Sequence, residues 1–470
     1  MNLIKSPLKI FASLKAVIAL FLYLSSKERN SFIAGRVASL SEAEVHDALK
    51  NTIAEFKHRH RDLEHIFSDH FQKINGLLGN ACVHYSEERK LLLGAYFTKE
   101  YSIQAAALFN PSIVPHPDQS NLNTGEQRFV MSLRATGEGH ISSLCFQTGL
   151  ISQDGKVTLD KEPEFYTRLK KSEAKIYTRQ FLKHSSSPAF DEIISSFPEQ
   201  FTEGEAIQLL EEIGTGAQVD YLREALDKNY DLENSFLLPI NEKVIFPFSA
   251  AEKMGMEDVR FVKFNDAGNT CYYGTYTAYN GNEINTHMIE TIDFNSFKIR
   301  TLNGSAISDK GMALFPEKIK GKYAMISRQG AEKLSIMFSD DLYQWNNYAL
   351  LMEPVYPWEI VQIGNCGSPV KTEKGWLLLT HGVGAVRKYV ISAILLDLED
   401  PSIIIGRMDK PFLSADENER EGYVPNVVYT CGCLLHGSLV IIPYAVSDFS
   451  ICFATLDINE LLLEMKPENQ

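Results

Sequence analysis

Trp376-Leu377-Leu378-Leu379-Thr380 leads to Ala393-Ile394-Leu395-Leu396-Asp397, two apolar runs joined by a polar stretch and closed by an acid. Each run has the length and residue types of a buried strand, and the pair reads as a hairpin. The same unit recurs. Arg128-Phe129-Val130-Met131-Ser132-Leu133 leads to Ile141-Ser142-Ser143-Leu144-Cys145-Phe146, and Tyr272-Tyr273-Gly274-Thr275-Tyr276 leads to a strand ending at Asp293-Phe294. Tyr323-Ala324-Met325-Ile326 leads to Ile336-Met337-Phe338-Ser339-Asp340-Asp341, and Leu439-Val440-Ile441-Ile442 to Ile451-Cys452-Phe453-Ala454-Thr455-Leu456-Asp457. The later units start at 272, 323, 376 and 439, spacings of 51, 53 and 63 residues. That is the length of a four-stranded propeller blade. Five units predict a mainly β fold, a five-bladed β-propeller; a β-sandwich is the alternative. In a propeller the blade loops converge on one funnel, so loop motifs distant in sequence are read together.

Helical periodicity flanks and interrupts this region. Ser41-Glu42-Ala43-Glu44 offers an N-cap with a glutamate three residues on. Val45, Leu49, Ile53 and Phe56, then Leu63, Ile66, Phe67, Phe71, Ile74 and Leu77, continue an apolar stripe over Ser39–Leu77. His58, His60, His65 and His70 lack an H-E-x-x-H arrangement and read as a solvated face, not a metal site. Between Pro163 and Leu232, Phe165, Leu169 and Ile176, then Ile207, Leu210, Ile213, Tyr221 and Leu226, return to helical spacing. The expected organisation is an N-terminal helical extension over 1–95, a propeller over 96–460 with a helical insertion at about 160–235, and a tail over 461–470. The added helices suggest a homo-oligomer surface.

Across 470 residues, 46 Lys and Arg face 60 Asp and Glu, a formal net charge of −14. A nucleic-acid binder would show a basic face, so a nucleic-acid partner is not expected and a small neutral ligand is. Seven cysteines (Cys82, Cys145, Cys271, Cys366, Cys431, Cys433 and Cys452), an odd number mostly within apolar runs, read as buried thiols of a reducing, cytoplasmic compartment. Cys431-Gly432-Cys433 has no partner motif nearby, and no metal is expected. Ala16 to Leu24 (AVIALFLYL), behind Lys5, Lys9 and Lys15, is too short to span a bilayer. It has the length and basic flank of a signal-peptide core, which leaves export open, but no small-x-small cleavage site follows. Packing of a helix on the body is the alternative.

Gly255-Met256-Glu257-Asp258-Val259-Arg260 runs straight into the strand-like Phe261-Val262-Lys263-Phe264, placing two acids and an arginine at a strand start. A carboxylate beside a guanidinium is held in a defined position and charge state, as acid–base chemistry on a sugar or ester oxygen requires. A surface ion cluster is the plainer alternative.

Six ordered segments together resemble glycoside hydrolase family 130, the mannoside phosphorylases and β-mannosidases. They are Phe109-Asn110-Pro111; Met256-Glu257-Asp258-x-Arg260; Leu314-Phe315-Pro316-Glu317-Lys318-Ile319 with Gly321-Lys322-Tyr323; Gly375-Trp376-Leu377 with His381-Gly382-Val383; Leu396 to Pro401; and Arg420 to Tyr429. The resemblance implies a five-bladed propeller and an inverting reaction in which Asp258 protonates the glycosidic oxygen through a sugar hydroxyl. Phosphate or water attacks the opposite face. Val259 stands where the family motif usually has Pro. Two further departures concern phosphate. Gln362 stands where phosphorylases carry a Lys nineteen residues before the His of His-Gly, and Ala278 where some members carry an Arg.

Phosphate needs cations around it, so these departures favour an inverting glycosidase of β-1,2-linked manno-oligosaccharides. The alternatives are a phosphorylase releasing mannose 1-phosphate, with inorganic phosphate as co-substrate, and a non-catalytic propeller scaffold. No other cofactor is implied. A hydrolase requires a general base, for which Glu359 and Glu421 are the candidates. Asn110, Arg134, Glu257, Arg260, Tyr276, Asp309, Lys310, Phe315, His381 and Asp448 are expected to bind substrate. Tyr276 and Phe315 would form a sugar platform, and His381, Lys310 and Arg387 remain as possible phosphate cations.

Overall fold

Five antiparallel hairpins carry the repeated apolar runs. In the computed structural model, Gln127–Thr136 pairs with Ser142–Ile151, Asn269–Tyr279 with Ile284–Thr291, and Tyr323–Gln329 with Lys333–Ser339. Trp376–Val383 pairs with Tyr389–Leu396, and Leu439–Val446 with Ser450–Asp457. The structure describes residues 1–172, 175–184, 190–234, 237–308 and 310–467. The runs are continuous rather than alternating because both strand faces are covered; every residue of Trp376–Val383 is buried. The protein is mainly β, 39% strand against 23% helix.

The third and fourth hairpins lie in sheets of four and six strands. The first two share a twelve-stranded sheet, in which Ser142–Ile151 meets Gly255–Asp266 in parallel at Ser142 and Gly255. The fifth belongs to a five-stranded sheet whose edge is the N-terminal strand Ile4–Phe11, paired with Ser450–Asp457.

That pairing corrects the reading of the N-terminus. Residues 4–11 are strand, and Val17–Phe21, the heart of AVIALFLYL, is a second strand on Thr98–Ser102 rather than a helix. Its β-branched and aliphatic side chains supply core, with Ala16 and Ile18 fully buried. Helices begin at Lys27: Lys27–Ala38, Glu42–Phe56, Leu63–Leu77 and Glu87–Tyr96. The capping box at Ser41 and Glu44 forms. The continuous helix expected over Ser39–Leu77 instead breaks before Leu63, where Asp62 takes a left-handed φ of 53°. Val45, Leu49, Phe67, Phe71 and Ile74 pack among the helices themselves with Leu92 and Leu93.

Two of the four histidines assigned to a solvated face are buried there. His60 Nε2 lies 2.8 Å from Glu100, and His70 Nδ1 lies 2.7 Å from Thr98 Oγ1. The insertion is mixed rather than helical throughout. Thr167–Arg168, Lys170–Lys171 and Ile176–Thr178 are short strands where helix was expected. Arg179–His184, Asp191–Ser195, Glu203–Ile213 and Ala217–Asp227 are helices around a separate core that includes Tyr177, Phe201, Leu210 and Leu222. Tyr230–Glu233 returns to the sheet beside Phe297–Thr301. The expected tail begins inside a docked helix, Ile458–Glu464, with Leu461 fully buried.

Candidate active site

Two β-bulges meet at the centre of the site. Between Glu257, opposite Thr277, and Arg260, opposite Thr275, two residues face the single Tyr276. The extra residue puts Asp258 in the left-handed region, φ 58°. A matching irregularity lies between Phe109 and Ser112, with Asn110 at φ 51°. Asn and Asp tolerate this conformation better than other side-chain-bearing residues, and bulges re-aim side chains. Here they aim at one another: Asn110 Nδ2 donates to Asp258 Oδ1 at 2.6 Å.

Arg134 ties the two acids together. It donates to Asp258 Oδ1 (3.0 Å), Glu257 Oε1 (2.8 Å) and Ser142 Oγ (2.9 Å), with its guanidinium 4.9 Å above the Phe109 ring. Lys310 Nζ donates to Glu257 Oε2 at 2.8 Å. Arg260 is buried, donating to the Asp258 carbonyl, Asn365 Oδ1 and Tyr429 Oη at 2.8, 3.1 and 2.8 Å. Burial alone would raise the Asp258 carboxyl, but Arg134, Arg260, the Asn110 hydrogen bond and Lys310 outweigh it and hold Asp258 down at about 2.

Asp448, in the turn between the last two strands at φ 51°, is pushed the other way, up to about 7. Burial and the charge of Asp258 raise it; Arg134 and Arg387 offset part of this. His381 is buried and pushed down to about 3 by desolvation, then by Arg328 and Arg260, so the ring is neutral. A proton on Nδ1 directed at the Asn365 carbonyl (3.3 Å) leaves Nε2 to accept from the Gln362 amide (3.3 Å). The Gln362 side chain is thus engaged with His381. Gly364 is required beneath that ring, because a Cβ there would come within 2.2 Å of it.

Asn110, Arg134, Glu257, Asp258, Arg260, Lys310, His381 and Asp448 are therefore linked by direct contact or by mutual electrostatics. Others are not. Tyr276 is buried, its hydroxyl donating to Glu252 within a core cluster with Tyr230 and His287. Phe315 is fully buried edge-on to Trp376, 5.3 Å between centroids. Neither offers a face to a sugar, which corrects both assignments: Tyr276 points into the core from the strand Asn269–Tyr279, and Phe315, just past Ala313–Leu314, packs into the core beside Trp376. Glu359 is fully buried and accepts from the Val355 and Tyr356 amides and from Arg407, the partners of a structural carboxylate. Glu421 is exposed beside Gly422, which packs against Ser447. Asp309 lies outside the described residues. Sequence reasoning passed over Asn365 and Tyr429 as site residues, although Tyr429 ends one of the segments that carried the resemblance and Asn365 follows Gln362 by three positions. It also passed over Arg328, on the strand Tyr323–Gln329, for which no sequence signal exists.

The sequence profile of glycoside hydrolase family 130, described as β-1,4-mannooligosaccharide phosphorylase, matches residues 219–466. This is more than half of the chain, which belongs to that family. The chain is 34% identical to a 1,2-β-oligomannan phosphorylase of Thermoanaerobacter sp. (strain X514) over 214 residues, 45% of this chain and 71% of that protein. It is 30% identical to a β-1,2-mannobiose phosphorylase of Listeria innocua over 232 residues, 48% of this chain and 64% of the relative. The solved structure of a Listeria innocua β-1,2-mannobiose phosphorylase with β-1,2-mannobiose aligns with 21% identity and a TM-score of 0.47, over 78% of this chain and 93% of that one.

Proposed function

We propose that this protein is an inverting phosphorylase of β-1,2-mannosides on a five-bladed propeller, with Asp258 as the proton donor. Five hairpins, and an N-terminal strand that completes the last sheet, support the propeller. The observation that carries the activity is the crowding of cations on Asp258. Arg134, Arg260 and Lys310 keep it ionised, so it has no proton to give while their field is unopposed. An anion arriving among those cations would cancel their field and let the carboxyl take up a proton. Inorganic phosphate is such an anion; water is not.

Phosphate would then attack the anomeric carbon from the face opposite Asp258, while the Asp258 proton passes through a sugar hydroxyl to the glycosidic oxygen. The β-mannosidic bond breaks, the phosphate–carbon bond forms, and α-mannose 1-phosphate leaves with the shortened sugar. Phosphate needs no general base, which fits the structural partners of Glu359. The names of the relatives support the same reading and the β-1,2 linkage.

Hydrolysis is the second reading, favoured by Gln362 and Ala278 at two positions where a cation was sought. Incubation with β-1,2-mannobiose, with and without phosphate, separates the two. The expected products are mannose and mannose 1-phosphate in equal amounts, and only with phosphate. Mannose alone under both conditions would overturn phosphorolysis.

A further inference from the structure

A cavity of about 320 Å³ lies between the insertion helix Ala217–Asp227 and the ends of the strands Ile284–Thr291 and Phe297–Thr301. That volume is within the range of small-molecule sites. The cavity lies near the Asp258 cluster on two counts. Glu257 faces Thr277 and Thr277 faces Thr286, which lines the cavity. Two interstrand spacings, about 10 Å, therefore separate them. Ser308, also in the lining, stands two positions before Lys310, whose ammonium holds Glu257.

The lining chemistry selects a ligand class. Its charges cancel, since Lys228 is paired with Glu224 and also donates to Asn285 Oδ1 at 3.1 Å. A free anion therefore gains little there. Neutral amides and hydroxyls of Asn285, Asn303 and Ser308 are interleaved with the half-exposed Tyr221 ring. Neutral donors and acceptors beside an aromatic body suit a polyhydroxylated ring with one apolar face.

We propose that this cavity is a second carbohydrate-binding site, which holds the non-reacting end of a longer β-1,2-mannooligosaccharide while the other end lies at Asp258. The identity of the sugar rests on the β-mannoside reading above; the site itself does not. It would make the enzyme prefer chains over disaccharides, with the insertion helix as the element that confers the preference.

The test is calorimetric titration of the full chain with β-1,2-mannobiose and β-1,2-mannohexaose, alongside turnover of both. The wild-type protein is expected to bind the hexaose at least about tenfold more tightly, a difference of about 1.4 kcal/mol. The Tyr221→Ala/Asn285→Ala variant should bind the hexaose no better than the mannobiose, with mannobiose affinity unchanged. Tyr221→Ala alone, a truncation at a half-exposed helix position, should reduce the preference and serves if the double variant fails to fold. Equal wild-type affinities, or a preference that survives in the variants, would overturn the site. Hexaose preference without turnover of either sugar would sink the phosphorylase reading and leave this site standing. Turnover of mannobiose without hexaose preference would do the reverse, and binding of neither sugar would overturn both.

Discussion

Asp258, in a β-bulge, and Asp448, in a turn, share a left-handed φ, 58° and 51°, and both feel Arg134, yet one is held at about 2 and the other at about 7. Burial acts on both in the same direction. The difference lies in what stands beside each. Asp258 accepts from Asn110 and Arg134 and also feels Arg260 and Lys310, whereas Asp448 feels the negative charge of Asp258 and a weaker share of Arg134 and Arg387. Of the two carboxyls, a proton therefore rests on Asp448. Which of the two carboxyls holds a proton is set by the distribution of charge around each, and not by residue type.

The sharpest way to break this contrast is to neutralise each acid in turn. Asp258→Asn should lower kcat by about 10²–10⁴-fold, the usual contribution of a general acid, with an unchanged circular dichroism spectrum. Asp448→Asn should cost far less, since an amide imitates a carboxyl that is already largely protonated below pH 7. An equal loss in the two variants would erase the distinction. Next in size is Arg134→Gln, which removes charge-assisted hydrogen bonds worth about 1.5–3 kcal/mol. It should raise the carboxyl pKa of both acids, seen by carbon-detected NMR titration; a rise at Asp448 alone would mean that Arg134 is not what holds Asp258 down.

Stability offers a subtler reading of the same pair. Asp448 is raised from its ordinary 3.8 to about 7, so the folded state binds the extra proton across that window. Its stabilising contribution is complete below about pH 4 and is lost as pH rises through 7. Asp448→Asn should therefore match wild type in thermal unfolding at pH 4 and exceed it at pH 8. Asp258 has the opposite sign, with stability present above its ordinary value and lost as pH falls towards 2. The smallest effect is expected at Tyr276→Phe. It removes one of several donors to Glu252, and should cost about 1 kcal/mol of stability and leave kcat unchanged. A lost kcat would return Tyr276 to the site.

The hairpins were legible because a strand covered on both faces writes an unbroken apolar run, as in Trp376-Leu377-Leu378-Leu379. The Glu257–Arg260 cluster was legible as chemistry. What the sequence could not show is direction. Tyr276 and Asp258 lie opposite each other across one strand pair, but a bulge turns the aspartate to the site and leaves the tyrosine in the core. Glu359, in a turn, adjoined a matched motif, but its role depends on Arg407, on a strand distant in sequence. The N-terminal strands were misread for a related reason. Their partners lie elsewhere in the chain, and Ile4–Phe11 pairs with residues beyond 449; no local periodicity announces such pairing.

That first strand has a consequence for how the molecule comes to exist. Ile4–Phe11 and its sheet partner Ser450–Asp457 lie far apart along the chain, so neither can complete its pairing before the other has been made. Pairing them closes a loop of about 440 residues, a step whose entropy grows only logarithmically with length but whose search is slow. Until then the late strand is an open edge, able to take a strand from another molecule. Deleting residues 1–11 would make that wait permanent, and aggregation rising with concentration is the outcome to look for.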